Sequence, residues 1–149
     1  MSQTRSRSRS AARLAAVQAL YQHEMEGTPV PRLLKEFHDH RLGALIEDEQ
    51  YHDAERDFFD DIVVGADARR DEIDALIAAR LAEGWSLERL DRAMRAILRA
   101  GAYELIARPD VPVGSVISEY VDVAHAFYDK RESGFVNGLL DAIAKEARR

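Results

Sequence analysis

The chain has no cysteine. That removes disulfides, thiolate zinc sites and a catalytic thiol from consideration, and it suits a reducing compartment. No apolar run approaches the ~20 residues that a bilayer-spanning helix needs. Nor does an uninterrupted apolar stretch follow the first basic residues, as a secretory signal requires. These absences predict a cytoplasmic protein with no membrane contact. Strand-like alternation of useful length is missing, and so is any repeat at a solenoid period. No phosphate-cradling glycine loop, cofactor fingerprint or Ser-His-Asp spacing stands out, so no cofactor is expected. Acid is missing as well from the first 23 residues, which hold Arg5, Arg7, Arg9 and Arg13.

What is present is an ordinary globular composition. At 149 residues, 46% hydrophobic and 32% charged, the chain is long enough for one core and too apolar for disorder. Its net charge of −6 would argue against nucleic acid, but the distribution argues the other way. A basic start precedes an acidic body, and this asymmetry points towards an anionic partner. Residues 1–9 (MSQTRSRSR) cannot pack a core and read as a mobile basic arm. Residues 10–149 read as a single all-helical domain.

Helical period runs through that domain. Ser10 is positioned to cap a first helix with the stripe Leu14, Val17, Tyr21 and Met25, stopped by Gly27-Thr28-Pro29. A second helix opens at Pro31 and runs towards Leu45 and Ile46. The third centres on Phe58, Phe59, Ile62 and Val63. The fourth carries Ile73, Ile77 and Leu81 and ends near Gly84. Ser86 would cap a fifth with Leu87, Leu90, Met94, Ile97, Leu98 and Leu105. The sixth follows Pro112, and the seventh starts near Ser133 and buries Phe135, Val136, Leu139 and Leu140. The expectation is an all-α, compact bundle of about seven amphipathic helices.

Four segments, AVQALYQ (16–22), ILRAGAYEL (97–105), VISEYVDVAHAF (116–127) and FVNGLLD (135–141), resemble the NusB family in order and spacing. The resemblance implies an RNA-binding transcription antitermination factor. It would bind boxA-type single-stranded RNA jointly with the ribosomal protein NusE, within the RNA polymerase antitermination complex that supports ribosomal RNA transcription. The same fold also precedes some ribosomal RNA methyltransferase domains. Because this sequence ends after its seventh helix and shows no methyl-donor loop, a stand-alone, non-enzymatic factor is expected. Ser118 stands where the family usually has Asn, and Gly134 where Lys or Arg is frequent.

Candidate RNA contacts follow from chemistry and resemblance together. Arginine forks bind phosphate oxygens and displace counterions, so Arg5, Arg7, Arg9 and Arg13 are candidates. Arg13 in a first turn would oppose the helix dipole, a local conflict that suggests a use elsewhere. On helix five, Arg89, Arg92, Arg95 and Arg99 share a face at three- and four-residue spacing, with Glu88 and Asp91 as the near acids. Arg99 lies within the family-like segment. Gln18 and Tyr21 offer an edge contact and a stacking ring, although spacing puts Tyr21 on the core stripe. Asn137 and Gly138 point away from the apolar side of helix seven. Glycine inside a helix costs ~1 kcal/mol, so either a neighbouring backbone approaches closely or the surface is used by RNA or a partner. On helix six Glu119 and Asp122 form an acidic strip suited to a basic ribosomal protein.

Two other classes fit less of the sequence. A helical protein–protein adaptor without RNA binding would explain the same helices with an incidental basic arm. A metalloenzyme would build on Glu49-x-x-His52, with Asp122-x-x-His125 as a loose second copy. A di-iron bundle needs two full motifs and two further glutamates, so no metal or catalytic residue is assigned.

Overall fold

The computed structural model describes the backbone of residues 2–41 and 53–148 and the side chains of 8–39 and 56–148. Seven α-helices run through these described residues: α1 (Ser2–Glu26), α2 (Val30–Glu36), α3 (Asp53–Ala68), α4 (Arg70–Ala78), α5 (Arg92–Ala107), α6 (Val113–Phe127) and α7 (Lys130–Ala147). A π-helical turn, Phe37–Arg41, follows α2, and a short 3-10 turn, Leu87–Arg89, precedes α5. No strand occurs among the described residues.

The centre of the fold is α5. It touches α1, α3, α4, α6 and α7, and every residue from Ala96 to Leu105 is buried. A helix buried on all sides cannot show a single stripe. That is why the apolar pattern of this segment understates its burial. Two glycines permit the close approaches. A Cβ at Gly101 would lie 2.9 Å from Leu140 of α7, and one at Gly65 of α3 only 2.2 Å from the Tyr103 ring. By contrast, a Cβ at Gly138 would meet nothing within 4 Å. The close-approach explanation for that glycine therefore fails, and its face is open.

Several boundaries differ from the sequence reading. The residues read as an arm are helical from Ser2 onwards. Ser8 is buried and the Arg9 guanidinium lies 4.5 Å from the Phe58 ring centre. On α1 the buried face is set by Ala12, Ala15, Ala16, Val17, Ala19 and Leu20. Small side chains let α1 lie close to α3 and α5, and Tyr21 and Met25 turn outward. Gly27 ends the helix in the left-handed conformation (φ +70°), its N–H donating to the His23 carbonyl, a common helix stop. Helix α5 starts later than Ser86 suggests. Asp91 caps it by accepting from the Met94 N–H at 2.9 Å. Helix α7 starts earlier, at Lys130. Leu45, Ile46, Glu49 and His52 lie outside the described residues.

The C-terminal end of α5 is closed by a residue far away in sequence. Arg148 donates to the carbonyls of Glu104, Leu105, Arg108 and Val111 at 2.7–3.2 Å. Final-turn carbonyls lack helical partners and carry partial negative charge. A guanidinium with five donors satisfies several of them at once.

Candidate nucleic-acid interface

The predicted cationic residues separate into buried and accessible sets. Arg13 is mid-helix because α1 begins at Ser2, so the dipole conflict disappears. It is 4% exposed and forks onto Glu104, with Nε–Oε2 2.8 Å and Nη2–Oε1 3.1 Å. Its Nη1 also lies 3.3 Å from Glu119. The Tyr120 hydroxyl donates to Glu104 at 2.5 Å, and Ser10 donates to Glu119 at 2.6 Å. Burial works against the Arg13 charge, but the hydrogen bond and charge of Glu104 outweigh it and raise the pKa. Burial pushes the Tyr120 hydroxyl well above its ordinary range, with the Glu104 charge adding to it. Arg13 is therefore a structural ion-pair residue joining α1, α5 and α6. Glu119 belongs to the same network and is half-buried, its carboxylate already engaged by Arg13 and Ser10.

Arg99 needs a similar correction. It is 8% exposed, donates twice to Asp74 at 2.8 and 3.0 Å, and reaches Glu24 at 3.3 Å. Burial opposes its charge, while Asp74 and then Glu24 raise its pKa. Arg70 and Arg95 approach the same Glu24 at 3.8 and 3.5 Å. The acids that relieve this arginine row come from α1 and α4, where helical spacing within α5 could not show them. Arg89 is not on α5 at all but in the turn before it. Asp122 and Asn137 are exposed, and Gln18 is half-buried. The side chains of Arg5 and Arg7 lie outside the described residues.

What remains accessible gathers around the N-terminal end of α5. Helices α1 and α6 run side by side in the same direction, with Ser10 against Glu119. Further along they enclose a groove of about 490 Å³. Val17, Met25, Ala93 and Phe127 give it an apolar lining, with Gln18 and Tyr21 on its side. Tyr21 is 39% exposed, which overturns its placement in the core. The groove's neighbouring surface carries Arg89, Arg92, Arg95 and Tyr128. Beyond it Trp85 and Phe135 are exposed as well. Phe135 is thus a surface residue, although helical spacing groups it with the core. Exposed aromatics beside arginines form the kind of surface that takes unpaired bases and phosphates. An apolar groove of this form also suits a protein side chain.

A second polar cluster is structural. Arg108 pairs with Asp110 and with Asp61 at 3.0 Å, and lies 4.9 Å from the Phe58 ring centre. Its hydrogen bond to Asp110 leads the factors raising its pKa. Tyr103 donates to Asp61 at 2.6 Å; burial first, then Asp61, pushes its hydroxyl up to about 12. Among the described residues no three histidine or acidic side chains gather as a metal-binding group. No described helix is long and apolar enough to cross a membrane.

The NusB family model matches residues 10–145. The transcription antitermination protein NusB of Sphingopyxis alaskensis is 72% identical over 97% of both chains. That of Novosphingobium aromaticivorans is 68% identical over 99% of this chain and 100% of its own. Among solved structures, NusB of T. maritima aligns with a TM-score of 0.74 and 32% identity, covering 95% of this chain and 93% of that one. A chain in the crystal structure of antitermination factors NusB and NusE in complex with dsRNA aligns at a TM-score of 0.72 and 29% identity, covering 94% and 98%.

Proposed function

Because the chain belongs to the NusB family, we propose that it is a non-catalytic, cytoplasmic transcription antitermination factor. It binds boxA-type single-stranded RNA together with the ribosomal protein NusE, in the RNA polymerase antitermination complex that supports ribosomal RNA synthesis. The observation that carries the NusE and RNA part of this reading is the match, over nearly the whole chain, to a chain in a solved assembly of NusB and NusE with double-stranded RNA. The exposed rings of Tyr21, Trp85 and Phe127 favour unpaired bases.

Within that reading, the geometry supports the following division of work. The apolar groove between Tyr21 and Phe127 seats NusE, and the exposed Asp122 on α6 offers a basic partner a carboxylate. The RNA runs along the arginine-bearing side at Arg89 and Arg92, where Gln18 and Tyr21 offer polar groups at the groove. Asn137 presents its amide from the open face of α7. Arg13 and Arg99 hold the fold, and Arg5 and Arg7 add positive charge to the sequence ahead of them. Side-by-side seats make each partner strengthen the other's binding, since contact between them adds to both affinities.

Fluorescence anisotropy with a short boxA-type RNA and a scrambled control, each with and without NusE, tests the proposal. Sequence-selective binding that NusE tightens and salt weakens is the expected result. If neither RNA binds in either condition while NusE does, the chain is a protein-only adaptor.

A further inference from the structure

Beside the turn that leads into α5 lies a cleft of about 450 Å³ between the segment that follows α4 and helix α7. Trp85 forms one wall and is 54% exposed, and Phe135 lines it as well. Leu81, Leu90 and Met94 add apolar surface. The tryptophan is held in place by its turn. Gly84 before it has φ +88°, and the Trp85 N–H donates to the Ala82 carbonyl at 3.0 Å. Arg89 donates to the Gly84 carbonyl at 2.6 Å, and its guanidinium lies 5.3 Å from the Trp85 ring centre. Arg131 also lines the cleft, is exposed, and has no ion pair among the described residues.

We propose that this cleft takes one unpaired nucleobase of the bound RNA, stacked on Trp85, with the flanking phosphates on Arg89 and Arg131. The inference rests on the RNA-binding reading above and adds a stacking subsite to it. An exposed indole forgoes the burial that so large a ring gains inside a core, and every base offers it a π-face. Two guanidiniums at an apolar cleft complement an anionic backbone, since arginine forks match phosphate geometry. Glu132, also in the lining, can accept a hydrogen from an exocyclic amine or ring N–H of the base. Asp91 is already engaged, accepting from Met94 and from the Tyr128 hydroxyl.

The chain itself supplies the probe, because Trp85 is its single tryptophan. Titrating the full chain with the boxA-type RNA should quench tryptophan emission. In parallel anisotropy measurements, Trp85→Leu should weaken RNA binding about ten-fold or more, in line with the loss of one stacked base. Trp85→Phe keeps a stacking ring and should retain most of the affinity, and Arg131→Glu should weaken binding and flatten its salt dependence. Wild-type RNA affinity in Trp85→Leu, with emission unmoved by RNA, overturns the subsite while leaving RNA binding intact. Emission that responds to NusE alone and not to RNA gives the cleft to the protein partner and also overturns it. Absence of RNA binding under every condition removes this inference together with the reading beneath it.

Discussion

The two ends of α5 use the same residue types for opposite purposes. At the C-terminal end, Arg13 is buried against Glu104, and Arg148 covers four carbonyls. There the arginines satisfy groups that burial would leave unpaired. At the N-terminal end the helix is capped by Asp91 alone, and Arg89, Arg92 and Arg131 face outward beside Trp85, Tyr21 and Phe127. A single helix thus has one end fixed in the core and one presented at the surface. Arginine content by itself could not tell the two apart; burial and the origin of the opposing acids do.

The largest expected effect is at the closed end. Arg13→Ala leaves Glu104 buried without its cation, and removing one partner of a buried pair costs about 3–5 kcal/mol. Urea denaturation should show a loss of that size. A loss under ~1 kcal/mol would mean that the pair is no better than a surface contact. Next comes Arg148→Ala, which strips the charge-assisted cap from α5 and should cost about 2 kcal/mol, read as a lower Tm with helical content retained.

Glycine substitutions sharpen the contrast between buried and open faces. Gly101→Ala drives a methyl group against Leu140 and should destabilise by about 1–3 kcal/mol. Gly138→Ala meets open space and should stabilise by about 0.5–1 kcal/mol, the helix-propensity difference. Opposite signs in the same denaturation assay are the prediction. The smallest effect concerns pH. The Tyr103 hydroxyl is raised in the folded state to about 12, so its contribution is complete below the unfolded tyrosine pKa near ~10. It is lost as pH rises through the folded value. Stability should fall between those two limits, and Tyr103→Phe should shallow the fall. Tyr120, shifted in the same direction, keeps part of the slope in that variant.

The helices were legible where apolar residues recur at helical spacing, which the first two turns of α1 lack. Their ends were less so. Ser86 looks like a cap, yet Asp91 performs that role, since a 3-10 turn intervenes. Helical spacing counts Tyr21 and Phe135 with the core because it weighs large apolar residues. On α1 alanines set the buried face, and on α7 Ser133 and Val136 turn inward where Phe135 does not. Arg13 and Arg99 carry charge in a family-like context, but nothing local reveals that Glu104, Asp74 and Glu24 approach them across the fold. Trp85 escaped notice because its role depends on Arg89, Phe135 and Arg131 meeting in space. The one local hint was a lone tryptophan between glycine and serine. Arg148 gave no signal, since a basic residue near a C-terminus is ordinary.

Hydrogen exchange read by mass spectrometry, on the chain alone and with boxA-type RNA and NusE together, tests the division of α5 most directly. Added protection should fall on segments from Trp85 to Met94, around Tyr21, and from Phe127 to Asn137. The C-terminal end of α5, from Ala102 to Val111, should exchange as before. Protection confined to that closed end, with the segments around Trp85 and Tyr21 unchanged, would contradict the account.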